Sequence, residues 1–193
     1  ISNGGTLDLT QVEVEESSSQ YLFDFALSSG TLSMDQSSLR GASVNSACGC
    51  IVNVISGNEL HLDDSTIFGA AGMSTTASTV KVYSGTMTSQ GNSIIKNSGK
   101  TGIALDVYGS TTESVSLSSI EIRDAAVGIS IVDSAIEIDH YEIKDTTLGV
   151  DVQGSMKLPV LYRSTAYSGA SNNQWKAYKA SITDLAKQHN YVQ

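Results

Sequence analysis

Short bursts of alternating apolar and polar residues recur along this chain at nearly constant spacing. Leu7-x-Leu9, Leu32-x-Met34, Leu60-x-Leu62, Met87-x-Ser89, Val115-x-Leu117 and Ile136-x-Ile138 read as inward positions of strands whose neighbours face out. A second set comprises residues 22–25, Cys50-x-Val52-x-Val54, Val80-x-Val82, Ile103-x-Leu105-x-Val107, Ile129-x-Ile131 and Val150-x-Val152. Between the two lie Gln11-Val12, Ser38-Leu39, Thr66-Ile67, Ser93-Ile94 and Ser119-Ile120. These lead into Arg40-Gly41, Phe68-Gly69, Lys96-Asn97, Arg123-Asp124 and Lys144-Asp145, where Gly or Asn predicts a bend with positive φ. The last two units copy each other at an offset of 21 residues: Glu121 falls on Glu142, Arg123 on Lys144, Asp124 on Asp145 and Gly128 on Gly149. Such a period predicts an all-β solenoid of about six coils over residues 1–155, each coil burying its apolar face against its neighbours.

The pattern breaks after Ser155. An offset of 21 would put Lys157 and Pro159 at the inward positions of Ile136 and Ile138, and proline cannot donate to a sheet ladder. Residues 156–193 therefore read as a separate C-terminal segment. Ser171-Asn172-Asn173-Gln174 resembles a capping box, and Trp175, Tyr178, Ile182, Leu185 and His189 recur at helical spacing. One amphipathic helix is expected over about residues 172–188, capping or docking on the open end of the solenoid, where unpaired strand edges would otherwise invite aggregation.

Coils of this length with three short strands, ending in phrases such as Gly128-Ile129-Ser130-Ile131-Val132-Asp133-Ser134, resemble the right-handed parallel β-helix of the pectin-lyase-like superfamily. The resemblance covers residues 5–155 and extends to the fold. An antiparallel sandwich accounts poorly for the 21-residue copy. Pectin-degrading hydrolases of that fold carry an Asn-Thr-Asp motif, an Asp-Asp pair, a Gly-His-Gly motif and an Arg-Ile-Lys motif on neighbouring coils. Only the pair Asp63-Asp64 is present here. The lyases set an Arg or Lys base beside clustered calcium-binding acids, a combination no coil clearly carries.

Charge narrows the partners. The net charge is −9, with 19 acids against 6 Lys and Arg in residues 1–154 but 1 against 5 in residues 155–193. An acidic solenoid repels nucleic-acid phosphates and anionic membranes, so neither nucleic-acid binding nor membrane insertion is expected. The chain has no apolar run long enough to span a bilayer. It opens on Ile1 within a repeat-like phrase and reads as a processed product or an excised piece. Cys48 and Cys50, two apart, read as small buried hydrophobes on a strand, since a bridge between them would be strained and no second pair completes a zinc site.

Three sets of side chains could carry chemistry. Glu59, His61 and Asp63 share the outer face of one strand, with Asp35 expected to stack over Asp63 from the preceding coil. Two carboxylates so close could share a proton or hold a cation such as calcium, and the acid, histidine and acid pair are the minimum for hydrolysis by general acid and base. Arg40, Lys96, Arg123 and Lys144 form a cationic column, flanked by acids that would neutralise it, that could contact an anionic sugar or a surface protein. Tyr83 and Tyr108, near the ends of third strands, are the aromatics expected to offer a contact face. Ser28, Ser56, Ser84, Ser110, Ser134 and Ser155 close successive coils, without a His and acid partner that would make any of them a nucleophile.

The expected function is a non-catalytic, extracellular or cell-surface segment presenting a long face for carbohydrate or protein contact, with no cofactor. A polysaccharide lyase or hydrolase fragment acting at Glu59, His61, Asp63 and Asp35 is the second reading. The enzyme would need loops around Ala42–Ala47 and Gly69–Ser78 to wall a cleft over Asp35 and Asp63. A self-assembling building block, acidic solenoid against basic tail, is the third.

Overall fold

The alternating runs become strands stacked turn upon turn, because each exposes one apolar edge that only the next turn can cover. The structure is a computed structural model that describes residues 5–15, 30–41, 49–109, 115–134, 136–153, 160–164 and 175–177. It opens with β1 (Thr6–Thr10) and β2 (Glu13–Glu15). The next three turns carry β3 (Thr31–Asp35), β4 (Ser38–Arg40) and β5 (Cys50–Ile55); β6 (Glu59–Asp63), β7 (Thr66–Phe68) and β8 (Ser78–Tyr83); and β9 (Thr86–Gln90), β10 (Ser93–Lys96) and β11 (Ile103–Tyr108). Two shorter turns follow, β12 (Val115–Arg123) with β13 (Val127–Val132), and β14 (Ile136–Lys144) with β15 (Leu148–Gln153). β16 (Val160–Ser164) and β17 (Trp175–Ala177) come last. That makes about five complete turns of an all-β parallel solenoid.

Every pairing between these strands is parallel. β5, β8, β11, β13, β15 and β17 form one six-stranded sheet; the others form an eleven-stranded sheet in which β12 and β14 run through the bend that separates β9 from β10. Three inward ladders fill the interior: Leu32, Leu60, Met87, Val115 and Ile136; Leu39, Ile67, Ile95, Ile122 and Ile143; and Val52, Val80, Leu105, Ile129 and Val150. All are at most 1% exposed. Burying each such side chain contributes roughly 1.5–3 kcal/mol, which is how thin turns with few aromatics hold together.

Several local expectations are corrected. Positive φ occurs at the first bend, at Gln11, Gln36, Asp64, Gly91 and Ser119, and directly after the second strand at Asp124 and Asp145 but not at Gly41, Gly69 or Asn97. Gly41 and Gly69 are instead required by close approach: a Cβ would lie 2.7 Å from Ile51 Cδ1 at the first and 2.5 Å from Thr79 Oγ1 at the second. Ser93 pairs with Ile120 rather than with Ser119, so Ile120 and, one rung on, Tyr141 point inward. Cys50 is disulfide-bonded rather than a free thiol, and the only other cysteine in the sequence is Cys48, outside the described residues.

Past Ser155 the sheets continue. β16 pairs with β14 and β17 with β15. Trp175–Ala177, inside the expected helix, is strand; the rest of residues 172–188 lies outside the described residues. Residues 22–25, the Ala42–Ala47 loop, Ser28, Ser110 and Ser155 also lie outside them.

Candidate functional site

The first sheet's outer face carries the acid and histidine set where alternation predicted it. In β6 the inward Leu60 and Leu62 leave Glu59, His61 and Asp63 outside, and the register sets Asp35 against Asp63 and Ser33 and Thr88 on either side of His61. A groove of about 360 Å³ runs here between Ser33, Asp35, His61, Asp63, Thr88 and Gln90. His61, Asp63, Thr88 and Gln90 are hydrogen-bonded through their side chains. His61 Nδ1 lies 2.6 Å from Thr88 Oγ1 and Nε2 lies 3.2 Å from Glu59 Oε2, so both ring nitrogens are engaged. Gln90 Nε2 donates to Asp63 Oδ2 at 2.6 Å, and Asp64 Oδ1 accepts the Asn92 amide at 2.7 Å. No trio of His, Cys, Asp or Glu among the described residues is arranged to hold a metal ion. The groove is lined by strand residues, none of them from the Gly69–Ala77 loop, which buries Ala70, Met73 and Ala77 in the core and exposes Ala71, Gly72, Ser74, Thr75 and Thr76.

The cationic column is continuous through one aromatic. The register runs Glu15, Arg40, Phe68, Lys96, Arg123, Lys144. Its far end is neutralised: Arg123 lies 3.1 Å from Glu121, and Lys144 bridges Glu121 at 3.2 Å and Glu142 at 2.8 Å. Hydrogen bonds to Glu142 and then Glu121 push the Lys144 ammonium above its ordinary value. Those two glutamates were legible, since Glu121-x-Arg123 and Glu142-x-Lys144 share an outer face by alternation. The near end differs. Arg40 stacks over the Phe68 ring at 4.0 Å, and Glu15 lies 3.8 Å from its Nε.

The tyrosines meet on the second sheet. Tyr83 and Tyr108 are register partners with ring centroids 4.4 Å apart and planes inclined at 22°. Their column continues through Ile55 on one side and Val132 on the other. Tyr83 is 45% exposed. Two positions earlier runs a polar column, Asn53, Lys81, Asp106, Ser130 and Asp151. Lys81 Nζ lies 5.2 Å from the Tyr108 ring centre. Burial pushes the Asp106 carboxyl up, against hydrogen bonds from Ser130 and Ser78 and the charge of Lys81. Burial, Tyr83 and Asp106 likewise raise the Tyr108 phenol, which keeps it a neutral hydrogen-bonding group.

Of the coil-closing serines, Ser84 donates to Gly109 O at 2.7 Å and Ser134 to Val132 O at 2.9 Å, both serving the backbone, while Ser56 is exposed. Among the described residues no helix is long and apolar enough to cross a membrane. In comparisons with known proteins, no family model, no curated protein and no solved structure matches the chain.

Proposed function

We propose that this chain is a non-catalytic, extracellular or cell-surface segment of a pectin-lyase-like β-helix that contacts carbohydrate through the outer face of its second sheet. The observation that carries the reading is the exposed Tyr83 stacked on Tyr108, continued by Ile55 and Val132 into an apolar strip four rungs long. Rungs repeat every ~4.8 Å, close to the advance of a hexose unit in an extended chain. Stacked aromatics give the apolar faces of sugar rings a surface, and the Lys81 and Asp106 column beside them supplies a donor and an acceptor for hydroxyls. Glycan-array screening followed by titration of the best ligand tests this. Tyr83→Ala should weaken binding by about tenfold or more, equivalent to roughly 1.4 kcal/mol. Unchanged affinity in Tyr83→Ala and Tyr108→Ala would remove the support.

The hydrogen-bonded Glu59, His61 and Thr88 beside Asp35 and Asp63 favour the second reading, polysaccharide cleavage in the groove. New reducing ends, or new unsaturated ends absorbing near the ultraviolet edge, would have to appear with the native chain and vanish in His61→Ala.

A further inference from the structure

The outer face of the second sheet brings three groups of complementary chemistry onto successive rungs. Asn53 in β5 pairs with Lys81 in β8, which pairs with Asp106 in β11, so a carboxamide, an amine and a carboxyl follow one another along the axis with the amine in the middle. We infer that this column is a modification site, at which the Lys81 amine attacks the Asn53 side chain with Asp106 as its base and leaves an isopeptide bond between adjacent turns. The inference stands apart from what the tyrosines bind, and the amide so formed still offers an N–H and a carbonyl beside them.

Placement supplies nucleophile, electrophile and base within reach. Rungs are ~4.8 Å apart, and the flexible four-carbon stem of a lysine lets its amine swing over either neighbour. Lys81 Nζ lies 5.2 Å from the Tyr108 ring centre, so it leans over β11, the strand that carries the base. Asn53 is one rung the other way. The surroundings hold back water. Two positions earlier on the same strands, Ile51, Thr79 and Ala104 are each at most 2% exposed, and two positions later come Ile55, Tyr83 and Tyr108. Asn53, Lys81 and Asp106 themselves are half-buried between these flanks. Ser78 Oγ donates to Asp106 Oδ2 at 3.5 Å, which helps to fix the carboxyl. Loss of water pushes that carboxyl up, and a carboxylate that holds a proton more tightly is the better base toward an ammonium.

The reaction balances within the column. Asp106 takes one proton from the Lys81 ammonium, and the freed lone pair forms the Nζ–Cγ bond to Asn53. The Cγ–Nδ2 bond then breaks with its electron pair on Nδ2. That nitrogen collects a second proton from Nζ and the one held by Asp106, and departs as ammonium. An amine and a carboxamide become a secondary amide, Asp106 is restored as a carboxylate, and the chain loses one ammonia and one positive charge. No oxidant or cofactor enters.

Intact-mass spectrometry of the full chain reads the outcome. The native protein should be lighter than its sequence by one ammonia, and trypsin, which needs a free lysine amine, should no longer cut after Lys81. Cleavage after Glu59, between the two residues, should leave the segments that hold Asn53 and Lys81 joined as one branched peptide. Lys81→Arg, which keeps the charge without a nucleophilic amine, and Asn53→Ala should each show the full mass with a native β-sheet circular dichroism spectrum. Asp106→Ala should convert about a hundredfold more slowly, the scale for a lost general base, and so remain largely at full mass. Because Lys81→Arg forbids the bond but leaves a cation beside Asp106, it is also the background in which removing the Asp106 charge reads out as electrostatics alone. Full mass in the native chain after prolonged incubation would overturn the site. So would an ammonia loss that persists in Lys81→Arg, the mark of a succinimide at an asparagine, or a loss of water in place of ammonia, which would make Asp106 the electrophile. Conversion as fast in Asp106→Ala as in the native chain would remove Asp106 as the base.

Discussion

Asp106 illustrates what it costs to set a carboxylate in the wall of a solenoid. It lies between Lys81 and Ser130 on consecutive rungs, and loss of water raises its pKa more than its hydrogen bonds and Lys81 lower it. In the window between the ordinary aspartate value, about 3.9, and the raised one, the folded chain holds a proton that the unfolded chain has released. Stability therefore falls as pH rises through that window, and Asp106 costs stability at neutral pH. Asp106→Asn keeps an acceptor for Ser130 and removes the charge. Its melting temperature should exceed the native value at pH 7, and the difference should close as pH falls below the ordinary value. A variant less stable than the native chain at neutral pH would mean that Lys81 and the serines outweigh desolvation. Nothing in the sequence announced this, because the burial that raises it exists only once the strands are stacked. Tyr83 and Tyr108 themselves could be picked out, being apolar residues at an outward parity.

At the scale of the element, the bend between the first and second strands is built differently in the early and the late turns. Ser37, Ser65 and Ser93 sit there, buried and 28 residues apart. Ser65 Oγ donates to Asp63 O at 2.7 Å and accepts the Ser37 amide at 3.0 Å, so each serine satisfies backbone groups that the bend removes from the ladder. From Val115 onward the bend contracts to Ser119 alone, the strand runs through, and Ile120 and then Tyr141 take the inward place of the serines. The register of the first and third strands was legible from alternation, since a one-residue slip would expose every inward side chain; in the second strands Leu39 pairs with Val14 rather than Val12, and Thr66 with Ile94 rather than Ser93. The bend was not legible. Its left-handed residues are Gln, Asp and Ser as well as Gly, and the 28-residue recurrence of serine was hidden beside the more conspicuous Gly41 and Gly69. Ser65→Ala should cost about 1–3 kcal/mol in denaturant unfolding, the range for a buried donor left unpaired. A cost near zero would mean that the Ser37 amide finds another acceptor.

Across the whole molecule, stability is a sum over turns and their contacts with the next, because strands pair only with the turn above and the turn below. Position along the axis should then decide how far a defect spreads. Leu105 is fully buried between Val80 and Ile129, and Leu105→Ala is expected to cost about 2–5 kcal/mol. Leu9 in β1 is only partly buried, so Leu9→Ala should cost well under 2 kcal/mol. Hydrogen exchange separates the two cases further. Leu105→Ala should speed exchange through β8, β11 and β13 and uncouple the turns on either side, broadening the unfolding transition. Leu9→Ala should confine faster exchange to β1 and β3 and leave β11 to β15 protected. Uniform acceleration in both variants would mean that the turns open as one unit, and the stacked faces would then have to be treated as a single rigid surface rather than as sites that can loosen independently on adjacent turns.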